Sequence, residues 1–309
     1  MILCKMKNLF IYLILLVSVA IYSSCNPMAG NPVLELFPNP PDTSHLPKFM
    51  SGIDAEEIAA VISLRITMRN GDNRKLGNPK DPRNGGDFRS FHFDNVNWRG
   101  IQIQDADFRG SYFRSANCDI SDFSYSDFRV GNLESAKFNK ATLIFCRFDQ
   151  ASLFFLKADN ALFDNSSFKG ANLLGMYGNG SSFKYCDFSK AVMQDALFAE
   201  ANFSGSKAIK ANFNRAVLVE ARFDSADLSY STFIKASLQR SSFVNARIHN
   251  ADFHEANLLD ADFSGADLKG CEFLGAGFYN TNFHEAINIP EVLKAKLVDD
   301  KYTGVLYSE

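Results

Sequence analysis

From Phe88 to Phe283 every fifth residue falls on one apolar column, and the register never slips. Of its 40 positions 23 are Phe and nine are Leu; Trp98, Ile103, Cys118, Ala158, Gly178, Met193, Ala208 and Ile248 fill the rest. A second column lies two residues earlier and is mostly small: Ala106, Ala116, Ser121, Ala136, Ala141, Ala151 and onward to Ala276. This period excludes both plain regular elements. On an α-helix five residues advance about 500°, so the Phe column would spiral around every side. On a straight strand side chains alternate, and an odd repeat would send successive rings to opposite faces. The chain must therefore bend once per repeat, each unit being a short extended piece and a turn with the same two side chains inside. A fixed-period array of this kind is a solenoid whose coils stack over one shared core.

Three units show the repeat nearly undisturbed: Ala201-Asn202-Phe203-Ser204-Gly205, Ala226-Asp227-Leu228-Ser229-Tyr230 and Ala261-Asp262-Phe263-Ser264-Gly265. In this order of Ala, then Asn or Asp, then Leu or Phe, then two polar residues, the chain resembles the pentapeptide-repeat family over residues 88–287. The resemblance implies an all-β solenoid, a right-handed quadrilateral parallel β-helix with four units per coil and so about ten coils. Coils spaced like neighbouring strands, roughly 4.8 Å apart, would stack to roughly 45–50 Å. The Asn and Asp beside the central residue, as in Asp107, Asn117, Asn202, Asn212 and Asp262, are expected to bond turn backbone.

The segments outside the repeat read differently. Residues 1–24 have the form of a secretory signal: Lys5 and Lys7, the apolar run Leu9–Ile21, then Ser23 and Ser24. The run is short for a membrane span, and a start at Met6 would leave a more ordinary signal. The stretch Ile21-Tyr22-Ser23-Ser24-Cys25 resembles a bacterial lipobox, with Tyr22 where that pattern usually has Leu. The resemblance implies that Cys25 is lipidated, becomes the first mature residue and anchors the chain to a membrane. Residues 25–50 would then be a tether, stiffened by Pro27, Pro32, Pro38, Pro40, Pro41 and Pro47. Residues 51–87 read as an N-terminal cap. Within it Asp54 N-caps a helix over about 54–68, carrying Ile58, Val61, Ile62 and Ile66 at helical spacing, and loop follows from residue 70. Residues 288–309 read as a C-terminal helical cap or tail, with Pro290 opening a short helix. Family resemblance also implies that this end can serve for homodimerisation.

Formal net charge is −3, and the repeat carries 22 acidic and 20 basic residues between 88 and 283. No strong field suggests a nucleic-acid partner. The histidines His45, His92, His249, His254 and His284 fall on different sides or distant coils. No catalytic triad and no metal cluster is expected from them. Neither Gly-rich phosphate motif is present, so no nucleotide cofactor is expected. Cys118 lies on the Phe column, and Cys146, Cys186 and Cys271 lie on the small-residue column. All four read as buried thiols too far apart for disulfides or metal.

Departures from the pattern are where function would sit. Ala158 and Gly178 lack a large core side chain, but Leu156 and Met176 just before them are enlarged, which keeps the core full. Ala208, beside Ser206, has no such compensation, and a small cavity or bulge is expected there. Ile144, Phe145, Phe154, Phe155 and Leu174 occupy outward positions and form a candidate partner-binding patch. The resulting expectation is a non-catalytic, membrane-tethered scaffold or protein-binding module of the bacterial cell envelope, without cofactor or metal. The alternative, implied by the family, is a DNA-mimicking protein that binds gyrase. Export and a nearly neutral repeat surface count against it.

Overall fold

The computed structural model describes residues 86–294, Leu297 and Lys301–Tyr302. All belong to the second of two compact units, Arg83–Glu309. The signal, Cys25, the tether and the helix expected over 54–68 lie outside the described residues.

The repeat is a right-handed quadrilateral parallel β-helix. Its register is constant: Asp87 bridges Asp107, Asp107 bridges Asp127, and every later bridge joins residues 20 apart as far as Asp267 and Ile287. Each strand is one bridged residue wide, flanked by a donor and an acceptor. Asp107 N–H donates to Gly86 O at 2.8 Å, and Phe88 N–H donates to Asp107 O at 2.8 Å.

A backbone census explains the period. Within one unit, Phe88 N–H and Ser90 N–H donate to the next coil, to Asp107 O and Arg109 O. Phe91 N–H closes the turn on Phe88 O at 3.2 Å. From Ser90 to Glu285 every fifth residue holds φ between 52° and 75°, and most of these are not glycine. That left-handed residue at each corner turns the chain onto the next side. One amide per unit, that of the residue after the central one, has no backbone acceptor in this scheme. Where the residue two positions earlier is Asn or Asp, its side chain can serve this amide, and elsewhere an Asp or Asn one coil earlier does so, as Asp94 does for Arg114. Arg109 N–H donates to Asp107 Oδ1 at 3.2 Å, Asp119 to Asn117 at 3.3 Å, Ser204 to Asn202 at 3.0 Å, Asn214 to Asn212 at 2.9 Å and Ser264 to Asp262 at 2.9 Å. The acidic or amide residue of the repeat is thus a turn cap, as expected from the sequence.

The core holds both columns. Phe108, Phe163 and Phe263 are fully buried. Their rings form long parallel stacks that hand over along the axis. Phe88, Phe108, Phe128, Phe148, Phe168 and Phe188 stack at 4.8–5.1 Å on one side. Phe163 through Phe283 form a second stack at 4.6–5.4 Å. Where the first stack stops, a third starts at Phe213 and runs to Phe273 at 4.7–5.1 Å. Stacks from opposite sides meet edge to face in the core, as Phe223 meets Phe233 at 5.9 Å and 83°, the arrangement that ring quadrupoles favour.

At the last coil, strand β1 (Thr281–Asn282) pairs antiparallel with strand β2 (Lys301–Tyr302), Thr281 opposite Tyr302 and Asn282 opposite Lys301. Helix α1 (Glu291–Lys294) lies between them in sequence and follows Pro290. Its Leu293 is fully buried, and Leu293 N–H donates to Pro290 O at 2.9 Å. The helix expected at this end is present but short. The antiparallel strand has no periodic signal in the sequence, and it pairs a strand of the final coil.

Candidate functional site

Function on such a rod must lie on its outward side chains. Three outward types recur: the bridged residue, the residue after the central one and the left-handed corner residue. Since a coil is 20 residues and has four corners, residues ten apart sit at diagonally opposite corners. The five residues of the sequence-derived patch therefore divide in two. Ile144 and Phe145 lie at one corner. There Phe145, 48% exposed, stacks on Tyr125 at 5.2 Å and 4°, and Tyr185, 68% exposed, continues the same column. Phe154, Phe155 and Leu174 lie at the opposite corner. Phe154 and Phe155 meet at 4.2 Å. Phe155 lies over Gly175 of the next coil, where an added Cβ would come within 2.3 Å of its Cε1. Tyr185 covers Gly205 in the same way at 2.5 Å. Corner aromatics thus lean one coil toward the C-terminus and shield part of their own surface, while one ring face stays in solvent.

Charges on the N-terminal coils are internally matched. Asp87, Asp107 and Asp127 stack on one side, and Arg89, Arg109 and Arg129 stack beside them. Arg89 bonds Asp87 at 2.9 Å, Arg109 bonds Asp107 at 2.6 Å and Arg129 bonds Asp127 at 2.6 Å. Arg89 and Arg109 also reach the aspartate one coil on, at 3.6 and 3.9 Å. Elsewhere Asp195 is held below the usual carboxylate range by hydrogen bonds from the Arg215 guanidinium at 2.7 Å. For Asp94, burial raises the pKa, but bonds from Arg114 outweigh it and the net shift is downward.

The four repeat cysteines are buried and free. Burial pushes the Cys118, Cys146 and Cys186 thiols far up, and that of Cys271 up to about 12, so none is a nucleophile at neutral pH. Cys146 and Cys186 instead donate to the carbonyls of Phe123 and Phe163 one coil below, at 3.1 and 3.0 Å. At Gly178 the core is filled as expected. An added Cβ there would lie 2.7 Å from Cε1 of Phe198, and Met176 and Leu156 are buried. Ala208 ends the first ring stack, and the buried Ser206 Oγ beside it has no hydrogen-bond partner.

One grouping of side chains is not foreseen by the sequence reading. Asp252, His254 and Glu272 bring three donor atoms within 4.8 Å of one another. His254 Nδ1 is 2.5 Å from Asp252 Oδ1 and 3.8 Å from Glu272 Oε2. The grouping joins a histidine to carboxylates, not to another histidine. This cluster has a single His, and its carboxylates come from the residue two positions before it and from the residue bridged to that one. A second histidine, His249, meets Asp267 at 2.6 Å through Nε2 and accepts from Arg247 at 3.3 Å through Nδ1. Neither His249 nor His254 is hydrogen-bonded to a Ser, Thr or Cys side chain.

With this geometry in place, comparison with known proteins is consistent. Residues 210–283 match the family model described as a pentapeptide repeat region, and residues 159–195 match pentapeptide repeats (8 copies). The chain therefore carries pentapeptide repeats. Solved structures similar to it include HetL, a pentapeptide repeat protein involved in heterocyst differentiation regulation from the cyanobacterium Nostoc sp.: 20% identity, 69% of this chain and 94% of that one, TM-score 0.37. Another is full-length QnrB1, a plasmid-mediated fluoroquinolone resistance protein: 18% identity, 56% of this chain and 91% of that one, TM-score 0.43. A pentapeptide repeat protein of the Arabidopsis thaliana thylakoid lumen shares 23% identity over 38% of this chain and 71% of its own, TM-score 0.21. No curated protein sequence matches.

Proposed function

We propose that this chain is a non-catalytic scaffold or protein-binding module, held to a membrane of the bacterial cell envelope by a lipid on Cys25. The observation that carries the binding role is the pair of solvent-facing aromatic corners, Tyr125–Phe145 and Phe154–Phe155, on a backbone whose every coil is pinned to the next. Rigid aromatic side chains lose little entropy on contact and offer large apolar area, which suits a protein partner. The tether is supported by the charged start, the apolar run and the Pro-rich segment that follows Cys25. Duplex mimicry finds less support, because the stacked aspartates at 87, 107 and 127 are each neutralised by an arginine.

Two experiments separate the parts of this reading. Metabolic labelling with a fatty acid, comparing wild type with Cys25→Ala, tests the anchor; label in wild type that is lost in the variant supports it, and an unlabelled wild type removes it. In-cell crosslinking of wild type, Tyr125→Ser/Phe145→Ser and Phe154→Ser/Phe155→Ser tests the corners. Loss of a discrete adduct in one double variant names the corner that binds, and identical adducts in all three refute the assignment.

A further inference from the structure

We propose that Asp252, His254 and Glu272 form a binding site for a divalent transition-metal ion. This goes beyond the scaffold reading and does not depend on it. The contrast with the N-terminal ladder carries the inference. There, an acid at the bridged position is followed two residues later by a base, Asp87 by Arg89, Asp107 by Arg109 and Asp127 by Arg129, and the arginines neutralise the stacked acids. At residues 252 and 254 the same two positions hold Asp and His, and the acid of the next coil, Glu272, stands directly over Asp252 through the parallel bridge. Among the described residues no Lys or Arg pairs with Asp252 or Glu272; the only basic group that meets either is His254. Two stacked carboxylates thus share a ring that has a lone pair to give, where an arginine has none.

The geometry is close to what such an ion needs. An ion bound at about 2.1 Å holds neighbouring ligand atoms roughly 3–3.5 Å apart. Nδ1 already lies 2.5 Å from Asp252 Oδ1 and 3.8 Å from Glu272 Oε2. Asp252 is fixed on the strand, because its Oδ1 accepts the His254 N–H at 2.9 Å. Glu272 is 69% exposed on its side chain and has room to close the remaining distance by a change of rotamer. To bind a metal the ring must carry its proton on Nε2 and present the Nδ1 lone pair. One imidazole and two carboxylates suit zinc, manganese, iron or cobalt, with water completing the shell. His249 is not equivalent, since both of its ring nitrogens are engaged, by Arg247 and Asp267.

The test uses the full chain, with zinc followed by calorimetry and cobalt followed by its visible absorption. Wild type is expected to bind one ion at this site with micromolar affinity. His254→Ala and Glu272→Gln should each weaken binding at least about tenfold. His249→Ala should leave it unchanged. Other groups able to bind zinc, His45 among them, are common to all variants, so the difference between variants reads this site alone. Far-UV circular dichroism without metal shows that each variant is folded, and the exposed Glu272 provides a change that the core does not feel. The absence of saturable binding up to millimolar metal overturns the proposal, as does equal affinity in wild type, His254→Ala and Glu272→Gln.

Discussion

Phe223→Ala is the sharpest test of the core, because its cost can be worked out from its neighbours. Phe223 is fully buried and lies between Phe203 at 4.9 Å and Phe243 at 5.1 Å, both nearly parallel to it. It also meets Phe213 and Phe233 edge to face at 5.7 and 5.9 Å. Truncating a buried Phe costs about 3–5 kcal/mol, with the upper end reached where surroundings cannot collapse into the gap. Collapse is restricted here. Phe223 N–H is pinned to Ser242 O at 2.7 Å and Arg222 N–H to Ala201 O at 2.9 Å, so the coils on both sides hold the backbone in place. A loss of about 4–5 kcal/mol is therefore expected. Lys235→Ala is the control. Its ammonium meets Glu255 at 3.4 Å with both side chains more than half exposed, so a change under about 0.5 kcal/mol is expected. Urea unfolding measures both, with an unchanged m-value as the condition for comparing midpoints. A solenoid can open locally, so hydrogen exchange at the amides of residues 203–243 should be followed in parallel. Greatest loss of protection is expected in those coils. A Phe223→Ala midpoint within about 1 kcal/mol of Lys235→Ala would refute the packing argument.

Three further outcomes follow from particular residues. Val130 is 63% exposed at φ 58°, a conformation costly for a β-branched side chain, so Val130→Asn should stabilise by about 1 kcal/mol; a lowered thermal midpoint contradicts this. Ser206→Ala removes a buried hydroxyl without a partner and should raise stability by about 1 kcal/mol; an equal loss would mean that the hydroxyl is satisfied. Asp195 has a folded pKa below its unfolded value, so its contribution is present above about pH 4 and is lost as pH falls through the folded value. Asp195→Asn should therefore be less stable than wild type at pH 7, with the gap closing in acid; a gap that widens toward low pH would reverse the sign.

The core was legible because its signal is periodic and every coil repeats it. Phe108, Phe163 and Phe263 are inside because only a turn every five residues keeps one column on one side. The caps were legible for the same reason, since Asn202 and Asp262 stand at a fixed offset from the amides they serve. The surface was harder to read. Ile144, Phe145, Phe154, Phe155 and Leu174 are neighbours in sequence, but the fourfold coil sends them to opposite corners. Asp252 and Glu272 are distant in sequence, and the coil length brings them together with His254. Adding 20 to each outward residue would have found that triangle. Strand β2 has no such rule, because the chain has left the repeat by then.

The same arithmetic explains why these corners are free to carry function. The backbone at a corner is left-handed whatever the side chain, because four of the five amides in each unit are already committed to the turn and to the adjacent coils. The corner residue therefore contributes little to specifying the fold, and Gly, Asn, Lys, Tyr, Phe and Val all occupy it. Positions released from the core in this way can vary freely, and what they present is fixed in direction by the coil beneath. An aromatic there costs some strain in the left-handed region and exposes one ring face to water. Tyr125, Phe145, Phe155 and Tyr185 accept both costs on coils where Gly or Asn would remove them. Replacing Tyr125, Phe145 and Tyr185 together with Asn is therefore expected to raise the thermal midpoint while abolishing whatever crosslinked adduct depends on that corner. A lowered midpoint would mean that these rings are held by packing alone, and the binding role would lose its physical basis.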